Sequence, residues 1–138
     1  MNYKNKLREQ VGMSLNDNEL HTQIKKGLPF SNFYRVVEVT GISERELANC
    51  LALSKSQLNR RKMSGYLRHC ESDRLFSVIE VLAMCVEYFD ENECQALQWM
   101  RSKTKGLGYR RPIELMDTNA GCEIISNLIM RIAHGIFA

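Results

Sequence analysis

The run SERELANCLALSKSQLNRRKM, Ser43 to Met63, restricts the fold more than any other part of the chain. Ser43 with Glu46 three residues later forms a capping box: the hydroxyl accepts a backbone N–H of the first turn, and the carboxylate reaches back to the cap N–H. A short helix follows with Leu47, Ala48 and Leu51 on its apolar side and Leu53 just beyond it. Ser54 then caps a second helix whose inward residue is Leu58, while Lys55, Ser56, Gln57, Asn59, Arg60, Arg61 and Lys62 are polar or cationic. Two short helices on a tight turn, the second carrying a polar outer face, make a helix-turn-helix, in which the second helix enters the DNA major groove N-terminus first.

The side chains suit that docking. Arg and Lys bond to guanine, Asn and Gln to adenine, and Ser to phosphate or base edges. Ser56, Gln57, Asn59 and Arg60 are expected nearest the base edges, with Lys55, Arg61 and Lys62 on phosphate. The bland alternative is the solvated surface of an ordinary helical domain. Basic charge alone does not separate the two; the capped pair, small Ala48 at the crossing and the polar outer face together favour DNA.

Charge distribution points the same way. The net charge of +3 is mild, but residues 1–70 carry +6 and residues 71–138 carry −3. A basic front half and an acidic back half fit a protein that holds DNA at one end and something else at the other. A chain of 138 residues can bury one core, or one small domain with a docked subdomain. No stretch approaches the roughly 20 apolar residues that span a bilayer, and the charged start is not a signal peptide, so a cytoplasmic protein is expected. Cys50, Cys70, Cys85, Cys94 and Cys122 are widely spaced and read mostly as small apolar fillers. His21, His69 and His134 share no ligand spacing with them. No metal and no cofactor are expected. No Ser/His/Asp, Cys/His or paired-carboxylate grouping stands out, so no enzyme is expected either.

Along the chain the pattern is all-α. Residues 1–15 lack a clear period and read as a loosely docked arm. A helix is expected from Asp17 to Lys26, stopped by Gly27. Ser31 is expected to cap a helix through Val39; Val36, Val37 and Val39 would also suit a strand, but no partner strand is visible. The strongest periodicity runs from Ser72 to Phe89, with Leu75, Val78, Ile79, Leu82, Cys85 and Val86 on one stripe. Asp90 with Glu93 reads as the start of a helix to Met100, on which Trp99 is core or a partner contact. KTKGLGYRR at Lys103–Arg111 is a basic glycine-bearing loop without the spacing of a nucleotide-binding P-loop. Pro112 opens one helical turn, and Thr118 caps a last helix to about His134, with Gly135 as its stop. The divisions expected are an arm over 1–15, a helix-turn-helix domain over 16–89 and a second helical domain over 90–138.

Beyond these patterns, GLP at Gly27–Pro29, LALSKSQLNRR at Leu51–Arg61, ESDRL at Glu71–Leu75, ALQWM at Ala96–Met100, LGYRRPIELMDTNAG at Leu107–Gly121 and RIAHGIFA at Arg131–Ala138 resemble the Xre/ParS-type antitoxins. These pair an Xre-like helix-turn-helix with a C-terminal toxin-binding domain, and the resemblance covers about residues 20–138. It implies a type II antitoxin that neutralises a RES-type, NAD-degrading toxin by covering its active site, and that represses its own operon. Carried over by position, it points to Gly106, Gly108, Arg111, Arg131, Gly135, Ile136, Phe137 and Ala138 as toxin-facing, and treats Pro112, Thr118 and Gly121 as scaffold. Two departures stand out. Ala52 occupies the turn position where such motifs often have Gly, and Tyr109 follows Gly108 where the family often has Gly-Gly. The partners expected are the toxin, double-stranded operator DNA and a second copy of the chain, because one module contacts few base pairs. The rival is a stand-alone helix-turn-helix regulator whose C-terminal half only dimerises.

Overall fold

Ten residues of α6, which runs from His69 to Tyr88, are buried on nearly every side of the helix. Beyond the predicted stripe, Glu71, Ser72, Val81 and Ala83 are buried too. A helix covered all round must sit inside its neighbours, and α6 is the axis of this chain. The computed structural model describes residues 2–135. Among them the order is α1 (Tyr3–Gln10), α2 (Asp17–Lys26), α3 (Phe30–Thr40), α4 (Glu44–Cys50), α5 (Lys55–Ser64), α6, α7 (Glu93–Met100), a short 3-10 turn (Lys105–Leu107), α8 (Pro112–Leu115) and α9 (Asn119–Ala133). No strand occurs among the described residues; two isolated bridges join Pro29 to Tyr66 and Thr104 to Arg110. The fold is all-α, as expected. No helix among the described residues is long and apolar enough to cross a membrane.

α1, α2, α7 and α9 all pack on α6, and α4 packs on α8. One apolar core therefore runs from Leu7 through Phe33, Leu47, Leu75 and Ile79 to Met100, Met116 and Ile125. Four elements depart from the sequence reading. The first fifteen residues are not a loose arm: α1 is capped by Asn2 and buries Tyr3, Leu7 and Arg8, with Val11 and Met13 behind it. Its period was hidden because only Tyr3, Leu7 and Val11 mark the inner face. Ser31 does not cap α3; the helix begins at Phe30, whose N–H donates to the Gly65 carbonyl at 2.8 Å, a tertiary substitute for a cap. α6 starts at His69, because Glu71 reaches back to the Arg68 N–H, while Ser72 is buried and accepts from the Leu28 N–H at 2.8 Å.

Asp90 belongs to the end of α6 rather than the start of α7. It adopts φ +54° and Glu91 φ +62°, and the Glu91 N–H donates to the Val86 carbonyl at 2.8 Å. This is the left-handed helix stop that Asp tolerates better than most side chains. The cap of α7 falls to Asn92, whose side chain accepts from the Gln95 N–H. Trp99 is half-buried against Phe89, with ring centroids 6.4 Å apart.

Candidate nucleic-acid and partner interfaces

α4 and α5 form the capped pair. The Ser43 and Ser54 hydroxyls accept from the Glu46 and Gln57 N–H groups, and the Glu46 and Gln57 side chains return to the cap N–H groups at 2.9 Å. The turn between the helices closes as a Schellman motif: the Leu53 N–H donates to the Ala48 carbonyl at 2.9 Å and the Ala52 N–H to the Asn49 carbonyl at 3.0 Å. Ala52 sits there at φ +55°, a conformation that costs an L-residue about 1–2 kcal/mol. Ala52→Gly should raise thermal stability by about 1 kcal/mol. Calorimetric melting checks this; a lower melting temperature would mean that the Ala52 methyl is doing packing work outweighing its strain.

The predicted DNA-contacting residues divide. Lys55, Ser56, Asn59 and Arg60 are exposed on the outer face of α5. Gln57 is half-buried and holds the capping box, so its carbonyl oxygen is engaged. Arg61 is a correction: it is 8% exposed, and its guanidinium grips Glu71 through Nε at 2.8 Å and Nη2 at 2.9 Å. It cannot reach a phosphate without leaving the core. Burial opposes the charge on Glu71, yet hydrogen bonds from Arg61 and from the Arg68 N–H outweigh it and hold the carboxyl below its ordinary range. Lys62 is part-exposed, and its ammonium binds Glu44 and lies 5.9 Å from the Tyr34 ring centroid. Both cations lie in the last turns of α5, and their partners come from other helices.

Two residues were missed. Arg45 and Asn49 are exposed on α4 and line the same cleft as Lys55, between the two helices. Their four-residue spacing puts them on one helix face, a signal that a search for the apolar side of α4 passes over.

The back half is joined to this pair by direct hydrogen bonds. Arg101, capping the end of α7, donates to Glu46 at 2.9 and 2.7 Å and to the Gly41 carbonyl at 3.3 Å. Hydrogen bonds from Arg101 lower the Glu46 carboxyl to about 2 despite its partial burial, with the Ser43 N–H adding to the effect. The residue that starts the first helix of the pair is thus also the anchor of the rear elements. Arg74 of α6 donates to the Asp117 carbonyl just ahead of α9 and to the side chain of Asn119, its first residue. The front and rear divisions share one core and are bolted together.

The toxin-facing candidates fall on separate surfaces. Gly106 and Gly108 lie in a small closed loop, where Thr104 and Tyr109 N–H groups donate to the Arg110 and Thr104 carbonyls at 3.0 Å each. Gly108 at φ +65° and Tyr109 at φ +62° are consecutive left-handed residues, so the Gly-Gly preference of that position has a direct steric reason. Tyr109 carries the strain while 64% exposed, without burial to compensate it. Arg111 binds Glu114 and lines an open cleft of about 630 Å³ shared with Arg45, Asn49 and Asp117. That places it beside α4. Arg131 is exposed near the far end of α9, about 15 Å along the helix from the point where Gly121 meets α8. Gly135 follows α9 at φ +73°; Ile136, Phe137 and Ala138 lie outside the described residues. Cys50, Cys85 and Cys122 are buried, the first two thiols pushed up to about 12 by burial, whereas Cys70 and Cys94 are exposed rather than filling the core.

Comparison with known proteins bears on the rear half. Residues 86–135 match the family described as the antitoxin Xre/MbcA/ParS C-terminal toxin-binding domain. An "Antitoxin Xre" of Yersinia enterocolitica is 34% identical over 85 residues, covering 62% of this chain and 57% of that protein. The match thus spans little more than half of the Yersinia relative. An "Antitoxin Xre" of Photorhabdus laumondii is 28% identical over 118 residues, 85% of this chain and 80% of the other. A "Prs ADP-ribosylating antitoxin" of a Sphingobium species is 23% identical over 124 residues, 83% and 78% of the two chains.

Proposed function

We propose that this chain, which carries over residues 86–135 the C-terminal toxin-binding domain of the Xre/MbcA/ParS antitoxins and is similar to two proteins named Antitoxin Xre, neutralises a RES-type toxin and represses its own operon. In this reading α5 lies in the major groove, with Ser56, Asn59 and Arg60 toward the bases and Lys55, Arg45 and Asn49 toward the flanking phosphates. The rear half acts as a plug with no chemistry of its own. Its toxin-facing part is centred on the Lys103–Arg111 loop, with Tyr109 as an exposed aromatic anchor of the kind that dominates binding energy at interfaces. The observation carrying the proposal is that one shared core joins a capped helix with an exposed cationic face to a recognised toxin-binding domain. An NAD-consuming target accords with the name of the Sphingobium relative, since ADP-ribosylation also spends NAD.

Co-expression with the product of the adjacent gene, scored for growth rescue and complex formation, tests the plug. Band-shift titration on the chain's own promoter tests the groove reader. Replacing Lys55 and Arg60 together by Ala should weaken operator binding by at least tenfold, lower the salt slope by about one through Lys55 and relax base preference through Arg60, with neutralisation intact. Tyr109→Gly should do the reverse: it should stabilise the fold by about 1 kcal/mol yet weaken the toxin complex by roughly tenfold or more. Promoter binding without any rescue would favour the stand-alone regulator. Rescue that is indifferent to Tyr109 would move the plug off this loop.

A further inference from the structure

α9 buries Gly121, Cys122, Ile125, Leu128 and Ile129 against the core. At 100° per residue the direction opposite that face passes through Asn127. Around Asn127 the outward residues are arranged as a chemical palindrome. Three positions before and after it stand Ile124 and Met130, 46% and 47% exposed. Four positions before and after it stand Glu123 and Arg131, both exposed. Ile124, Asn127, Met130 and Arg131 line one shallow open depression. An apolar pair and an oppositely charged pair disposed about a central amide have no use within the monomer, whose core lies on the other side of the helix.

Such a face complements itself when turned over. If a second α9 lies antiparallel about a two-fold axis at Asn127, each residue ahead of Asn127 comes level with the residue equally far behind it on the other copy. Glu123 then meets Arg131 of the second copy twice over, and Ile124 shares a level with its Met130. The two Asn127 amides can each donate to and accept from the other. A parallel pairing would instead set Glu123 against Glu123 and Arg131 against Arg131. We propose that the outward face of α9 is a self-association surface for a second copy of this chain, paired antiparallel about Asn127. Closed two-fold pairing is also the commonest way for a self-complementary patch to be satisfied. The inference is independent of the DNA assignment and revises the toxin assignment at one residue: it moves Arg131, within the matched residues 86–135, from the toxin-facing set to this face.

One helix face some 20 Å long falls at the small end of stable interfaces, so the dimer should be concentration-dependent. Sedimentation equilibrium on the full chain, over a wide concentration range, measures it directly. Glu123→Arg alone and Arg131→Glu alone each place like charges opposite one another at both ends, and each should raise the dimer dissociation constant by about tenfold or more. The doubly exchanged chain, Glu123→Arg with Arg131→Glu, restores opposite charges in the antiparallel register and should dimerise close to the unaltered level. Both substitutions are on the surface, and unchanged far-ultraviolet circular dichroism of the three variants will verify folding. A chain that is monomeric throughout overturns the proposal, and that includes the case in which this face serves only a different protein. A dimer untouched by the single reversals, or one that the double exchange fails to rescue, overturns it equally.

Discussion

Replacing Glu71 by Ala should destabilise the protein by about 3–5 kcal/mol, because it leaves the buried Arg61 guanidinium without its acceptor. Arg61 is 9% and Glu71 8% exposed at the side chain, so solvent can replace little of what is lost. Glu71 also accepts from the Arg68 N–H at 3.0 Å, and its removal uncaps α6 at the same stroke. Thermal denaturation should show a fall on the order of 10 °C or more for a chain of this size. Arg61→Ala should be costly for the mirror-image reason, exposing the burial penalty on the carboxyl that Arg61 now offsets. Joint replacement by Arg61→Met and Glu71→Leu should recover much of the loss, since apolar pairs of similar volume often substitute for a buried ion pair. The same experiment separates scaffold from DNA contact on one helix. Arg60→Ala should weaken operator binding by about 1–3 kcal/mol and relax its base preference at one position, leaving stability and the salt slope of the remaining contacts alone. Arg61→Ala should lower stability and leave the slope alone in the folded fraction. An Arg61→Ala chain that melts normally but binds DNA with a reduced slope would return Arg61 to the phosphate backbone and break the tertiary pairing described here.

That contrast between adjacent arginines marks the boundary of what one sequence discloses. The caps at Ser43, Ser54 and Thr118 and the stop at Gly27 were legible because the donor and acceptor lie within four residues of each other. The apolar stripe of α6 was legible because helical period repeats it five times. The burial of Arg61 is not legible because its partner, Glu71, sits on another helix, and charge pattern alone favours solvent or phosphate for any cation on a polar stretch; the Lys62–Glu44 pair is hidden for the same reason. α1 was missed for want of length: at eight residues its period barely repeats, and its stability is owed to packing on α6 rather than to propensity. Asp90 and Asn92 were confused because both types cap helices, while only the backbone shows which of them has turned left-handed. At Ala52 and Tyr109 the reverse held: each departure from glycine, visible in the residues alone, lies at a left-handed φ.

Gly121→Ala should destabilise the protein by several kcal/mol, although Gly121 lies in the first turn of a helix where exchanging Gly for Ala ordinarily helps by up to about 1 kcal/mol. A Cβ at Gly121 would stand 1.6 Å from the Leu115 carbonyl oxygen and 2.7 Å from its carbon. Both obstacles are backbone, so no side-chain rotation relieves them. A third contact, at 3.0 Å to the Thr118 hydroxyl, presses on the group that caps α9 by accepting from the Gly121 N–H at 2.8 Å. Accommodating the methyl means moving α8 away from α9, and α8 is also what packs on α4. The disturbance should therefore reach both ends of the molecule: lower melting temperature, weaker operator binding, and loss of the α9-mediated dimer together. The sign is the decisive measurement, because ordinary helix propensity predicts a rise where the close approach predicts a fall. A Gly121→Ala chain as stable as the original would mean that α8 and α9 do not meet at this distance, and that the rigid coupling of the rear elements to the DNA-reading pair has another source.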